Sequence, residues 1–124
     1  MEEKRKEQRL KNENEISVTI VDDEKKPVEG KSIDNNHSMD ISVSGVRIKS
    51  HVSLPVDTLI RIKMKLKNLG KMITNIGKVK WTKGNIEDKS YEAGVEFVDT
   101  PDESVLILEE YINQGVDRHV YKDE

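Results

Sequence analysis

Two groups of side chains in this 124-residue chain are equipped for chemistry. The first is Arg5 and Arg9, spaced Arg-x-x-x-Arg. On a helix the two share one face. In an extended chain they stand about 13 Å apart. Either way they offer two planar donor forks, which suit phosphate oxygens and the O6/N7 edge of guanine. The second group is Asp40, Ser42 and Gly45, in the order Asp-x-Ser-x-x-Gly. Asp and Ser carry short oxygens that bind backbone N–H groups or ligand edges at turns. Gly45 frees the backbone for a positive φ or for close approach of a ligand. Each group alone also has a plain reading: a Lys/Glu/Arg-rich tail is a solvated tail, and the hexamer is a structural turn.

The elements that must position these groups read as β-structure. Val46 and Ile48 alternate with Arg47 and Lys49, the period of a half-buried strand, so the hook formed by Asp40 to Gly45 sits at the mouth of a strand. Upstream, Ile16, Val18 and Ile20 alternate with Ser17 and Thr19. Asp22 to Lys26 is a charged turn, Gly30 to Asp34 a short strand, and Asn35 to Ser38 a loop. Leu54 to Asp57 is a turn. Ile60, Ile62, Met64 and Leu66 alternate with Arg61, Lys63 and Lys65, and Asn68-Leu69-Gly70 closes a hairpin. Ile73 to Trp81 gives a further strand with Gly77 as a bend or bulge. Lys83 to Asn85 and Glu87 to Lys89 form the next turn, before Tyr91, Ala93, Val95 and Phe97 alternate in a last strand. Turn signals at short intervals with no helix between them indicate an antiparallel barrel or sandwich. A barrel is favoured because closure removes exposed edges.

The period then changes. Thr100-Pro101-Asp102-Glu103 is a cap with proline at the first helical position and a capping-box glutamate. Val105, Leu106, Leu108, Tyr111 and Ile112 follow at helical spacing, up to a stop near Gln114-Gly115. The chain thus divides into an N-terminal arm (1–14), an all-β barrel (15–99), a C-terminal helix (100–115) and a frayed tail (116–124).

Composition bounds the function. Hydrophobic residues make up 34% and charged residues 36%, which gives one domain with a modest core and an ionic surface. Residues 1–11 hold five basic and three acidic side chains, a net of +2, which leaves −5 of the total −3 for the remainder. The arm has Leu10 as almost its only apolar residue and is expected to be mobile by itself. An acidic body with five aromatics lacks the basic groove and stacking platforms of an RNA or single-strand binder, so no nucleic-acid partner is expected. No stretch is apolar enough to span a membrane, and charge from residue 2 excludes an apolar-core secretory signal. The absence of cysteine fits a reducing cytoplasm. His37, His51 and His119 have no metal-like spacing, and the acidic runs Asp22-Asp23-Glu24 and Glu109-Glu110 read as solvated faces. No nucleophile–base pair, catalytic carboxylate pair or phosphate-cradling glycine loop stands out, which argues for a binding protein without cofactor or metal, not an enzyme.

Taken in order, the Arg-x-x-x-Arg, the hook about thirty residues later, and the run Gly77-Lys78-Val79-Lys80-Trp81 followed by Gly94-Val95-Glu96-Phe97 resemble the PilZ domain. The resemblance covers nearly the whole chain. It implies a six-stranded antiparallel β-barrel with a C-terminal helix, and binding of the bacterial second messenger cyclic di-GMP. It also implies roles. Arg5 and Arg9 would grip guanine Hoogsteen edges and phosphate oxygens. Asp40 would accept hydrogen bonds from guanine N–H groups. Ser42 would donate to a phosphate or fix the loop, Gly45 would keep the hook open, and Trp81 would pack beside a base. Lys4, next to the arginine pair, leans toward a stacked pair of ligands over a single one. The expected output is motility, exopolysaccharide synthesis or virulence, through a partner protein. A chain of this family that binds no nucleotide and serves only as an interaction module is the alternative.

Overall fold

Buried and exposed side chains alternate along the strands of the computed structural model, which describes residues 10–11, 13–66 and 69–123, with the backbone alone at 30, 34, 35 and 115–123. Seven strands are present among the described residues: β1 (Leu10–Lys11), β2 (Glu15–Val21), β3 (Pro27–Ile41), β4 (Gly45–Ser50), β5 (Leu59–Leu66), β6 (Lys71–Asn85) and β7 (Ser90–Asp99). A single helix, α1 (Asp102–Asp123), follows them. All pairings are antiparallel, in the order β3-β2-β5-β6-β7-β4, and β4 returns to pair with β3. The result is a closed six-stranded barrel with a C-terminal helix, the architecture expected above.

Its interior is filled by the inward residues of every barrel strand, among them Val18, Ile41, Ile48, Ile60, Leu66 and Val79, all fully buried. Each such side chain contributes about 1.5–3 kcal/mol of transfer free energy. Leu108, Tyr111 and Ile112 of α1 join the same core, and the helix packs beside β6 and β1.

Three elements differ from the sequence reading. The short strand and loop expected over residues 30–38 are one continuous strand, β3. Its first part pairs with β2, from Val21↔Pro27 to Glu15↔His37, and its last part with β4, from His37↔Lys49 to Ile41↔Val46. Residues 35–38 are polar and show no period, but pairing of Asn36 and His37 with β2 and of His37 and Ser38 with β4 keeps the strand continuous. β6 runs on to Asn85, so the turn before β7 spans residues 86–89 and not Lys83 to Asn85. The helix does not stop at Gln114-Gly115 but continues to Asp123. A helical glycine costs only about 1 kcal/mol relative to alanine, too little to end a helix that no proline follows.

β1 is an addition to the barrel. It pairs with the end of β3 that β2 has left, Leu10 opposite Ile41 and Lys11 opposite Asp40. Just after it, Asn14 is locked in place. Its N–H donates to Ser38 Oγ (3.0 Å), its carbonyl accepts from the Ser38 N–H (2.9 Å), and its Nδ2 donates to Tyr111 Oη (2.9 Å). The root of the arm is thereby tied to both barrel and helix.

Candidate functional site

Strand register assembles one row of side chains across five strands. Lys11 on β1 faces Asp40 on β3, Asp40 faces Arg47 on β4, Arg47 faces Gly94 on β7, and Gly94 faces Trp81 on β6. Directly paired residues of an antiparallel sheet share a face. This row therefore crosses one patch of the barrel's outer face, and Asp40, Gly45, Arg47, Trp81 and Gly94 line a cleft of about 600 Å³ there.

One end of the cleft is ionic. The Asp40 carboxylate is 11% exposed, and Arg47 Nε lies 2.9 Å from its Oδ2, out of line for a good hydrogen bond. Arg47 Nη1 donates to Glu92 Oε1 at 3.4 Å. A carboxylate this far from water needs such a partner, and β3–β4 pairing supplies it by cross-strand placement. The other end is aromatic. The Trp81 indole lies over Gly94, and a Cβ at residue 94 would collide with its Nε1. Trp81 is 42% exposed, so it presents a flat apolar surface to the cleft. On the rim, Lys80 Nζ stands 3.7 Å from Glu96 Oε1.

The hook closes tightly between these strands. The Ser42 N–H donates to the Gly45 carbonyl (2.9 Å), the Ser44 N–H donates to Ser42 Oγ (3.4 Å), and the Phe97 N–H donates to the Ser44 carbonyl (2.8 Å). Ser42 is fully buried, and its hydroxyl also reaches Gly45 O (3.4 Å). These contacts tie the Ser42 side chain to the backbone of the hook. Gly45 does not adopt a positive φ. The close approach that requires glycine is that of the Val95 carbonyl, against which a Cβ would press. Gly45 therefore lets β4 lie close to β7 at the floor of the cleft.

Asp40, Gly45 and Trp81 thus come together from separate stretches of sequence, with Ser42 directly behind them. Lys4, Arg5 and Arg9 lie outside the described residues. The strand that immediately follows Arg9 is β1, paired with Asp40 and Ile41. Sequence reasoning passed over Arg47 and Gly94 as site residues. A hairpin that pairs Ile41 with Val46 must pair Asp40 with Arg47, so hairpin register was the signal for the first. Gly94, interrupting an otherwise regular strand, was the signal for the second. Among the described residues no cluster of His, Asp or Glu is arranged to hold a metal.

A family model described as the PilZ domain matches residues 3–114. The chain belongs to the PilZ family. Solved structures share its fold at low identity. The inhibitor of motility MotI/DgrA of Bacillus subtilis superposes with a TM-score of 0.73 at 12% identity, over 95% of this chain and 52% of that one. The PilZ domain of YcgR from Escherichia coli, solved with c-di-GMP, gives 0.64 at 8% identity, over 94% and 95%. The MrkH–c-di-GMP complex of K. pneumonia gives 0.65 at 16% identity, over 95% and 54%. The chain spans about half the length of MotI/DgrA and MrkH. A comparison with curated protein sequences finds no match.

Proposed function

We propose that the chain is a cytoplasmic cyclic di-GMP receptor, a binding module and not an enzyme. The ligand is clamped between the N-terminal arm and the Asp40–Trp81 cleft. The observation that carries this reading is the pairing of β1 with Asp40 and Ile41. It ties Leu10 and Lys11, which follow Arg9 in sequence, to the strand that bears the cleft's carboxylate, and so supports a ligand shared by both motifs. The c-di-GMP held by the PilZ domain of YcgR and by MrkH supports the same ligand class.

The chemistry matches the ligand. Cyclic di-GMP is a dianion with two purines, and it needs cationic forks, a carboxylate and an apolar wall. Arg5 and Arg9 supply the forks for phosphate oxygens and Hoogsteen edges. Asp40 accepts from guanine N1–H and N2–H, Trp81 packs against a base, and Ser42 and Gly45 keep the hook in shape. Lys4 beside the arginines favours a stacked ligand pair. Ordering about ten arm residues costs about 10 kcal/mol of gross backbone entropy, which the charge-assisted contacts must offset. The ordered arm then alters the surface seen by a partner protein in motility, exopolysaccharide or virulence control. Calorimetric titration of the purified chain with cyclic di-GMP tests the proposal. Saturable heat, abolished in Arg5→Ala and Arg9→Ala, is expected; no heat at high ligand rejects it.

A further inference from the structure

We propose that Arg47 is a specificity-determining residue: with Asp40 it forms, on the barrel itself, a two-residue edge that selects guanine over adenine in a cyclic dinucleotide. The inference rests on the reading of the cleft as a cyclic di-GMP site. Arg47 stands between the carboxylate it faces on β3 and the glycine floor it faces on β7. Its side chain is 35% exposed and lines the cleft. Its ion pairs among the described residues use Nε, 2.9 Å from Asp40 Oδ2, and Nη1, 3.4 Å from Glu92 Oε1. Two carboxylates therefore flank the guanidinium and hold it over the cleft by charge, while Nη2 has no partner among the described residues. A side chain anchored in this way loses little rotamer entropy when a ligand arrives.

The Watson–Crick edge of guanine presents the O6 acceptor beside the N1–H and N2–H donors. A carboxylate has about four lone-pair sites, so Asp40 can keep Arg47 and still accept from N1–H and N2–H. The guanidinium next to it then meets O6. O6 has two lone pairs, so this contact is compatible with a Hoogsteen grip from the arm. Adenine reverses the pattern. Its N6 amine would face the guanidinium, donor against donor, and its bare N1 would face the carboxylate, acceptor against acceptor. Both protein groups would be desolvated without repayment, which is how hydrogen-bonding sites reject near-isosteres. Asp40 and Arg47 also neutralise each other, so the pair selects by donor pattern while attraction for phosphate falls to the arm.

The test is calorimetric titration of the full chain, and of its Arg47→Met and Arg47→Lys variants, with cyclic di-GMP and with cyclic di-AMP. Met removes the donors. Lys keeps a charge beside Asp40 without the anchored fork, and decides the matter by itself if the Met variant does not fold. The wild type is expected to prefer cyclic di-GMP by about 100-fold or more, and both variants to lose at least about 10-fold of that preference, mostly through weaker cyclic di-GMP binding. Equal loss for both ligands would mean that Arg47 is only structural, and unchanged or tighter cyclic di-GMP binding would mean that it blocks the site. Either result, or a wild type without preference, overturns the inference while the cyclic di-GMP reading stands. A wild type that binds neither ligand removes that reading, and the inference with it.

Discussion

Gly94 is a glycine because Trp81 lies where its side chain would be. Any Cβ there must push the indole off the strand, and Trp81 is the sole tryptophan, so the consequence is directly visible. Gly94→Ala is expected to shift the intrinsic fluorescence and to weaken cyclic di-GMP binding about 10-fold, by disturbing a stacking surface worth about 1–3 kcal/mol per base. Fluorescence and calorimetry on the variant check this. Asp40→Ala should abolish measurable binding. Arg47 keeps Glu92 and partial solvation, so no buried charge is left unpaired, and the fall in Tm is expected to be small beside the loss of binding. A thermal melt beside the titration separates the two effects. Asp40 and Ser42 stood out in the sequence through their order and spacing with the arginine pair upstream, since the hexamer alone reads as a structural turn. Arg47 did not, because a polar residue alternating in a strand is what any solvated face contains. Only the hairpin register, which pairs it with Asp40, distinguishes it.

At the scale of elements, the root of the arm, the end of β3 and the helix form one connected unit. Asn14 bonds to Ser38 on one side and to Tyr111 on the other. A ligand that fixes the arm thus acts on a segment already joined to α1. Tyr111→Phe removes the Asn14–Tyr111 hydrogen bond between buried partners and is expected to cost about 1–2 kcal/mol, read as a lower midpoint in denaturant unfolding. Strands β2, β5 and β7 were plain from period-two alternation, since each has one buried face. The full extent of β3 was not, because its polar middle carries no period and what holds it extended is pairing with β2 and then β4. β1 is two residues long, and nothing local marks it; only the vacant edge of β3 beside Asp40 creates it. At the β6–β7 turn, Ser90 Oγ donates to Asp88 Oδ1 at 2.6 Å and Lys49 Nζ stands 3.1 Å from Oδ2. The serine bond first and the lysine second hold the Asp88 pKa below its ordinary 3.8. A carboxyl lowered by folding stabilises the fold above its unfolded pKa and loses that contribution as pH falls through the folded value. The turn should therefore loosen only below about pH 3.8, and an NMR titration of Asp88 should give a midpoint under that figure.

For the molecule as a whole, charge is divided by region: residues 1–11 carry a net +2, the barrel over residues 15–99 is nearly balanced at +1, and residues 100–124 carry a net −5, while the cleft pairs its own charges. Among the described residues no helix is long and apolar enough to cross a membrane. The barrel is closed, each of its six strands pairing on both sides, and strand register sets the spacing of the cleft's residues. The proposed receptor function requires the leader and the cleft to act on the same molecule. Hydrogen exchange of the full chain, with and without cyclic di-GMP, measures this most directly. Slowed exchange is predicted in residues 1–14 and in residues 40–47 and 81–94 together, with one common ligand midpoint. Protection in only one of the two regions, or in neither at saturating ligand, would contradict the account.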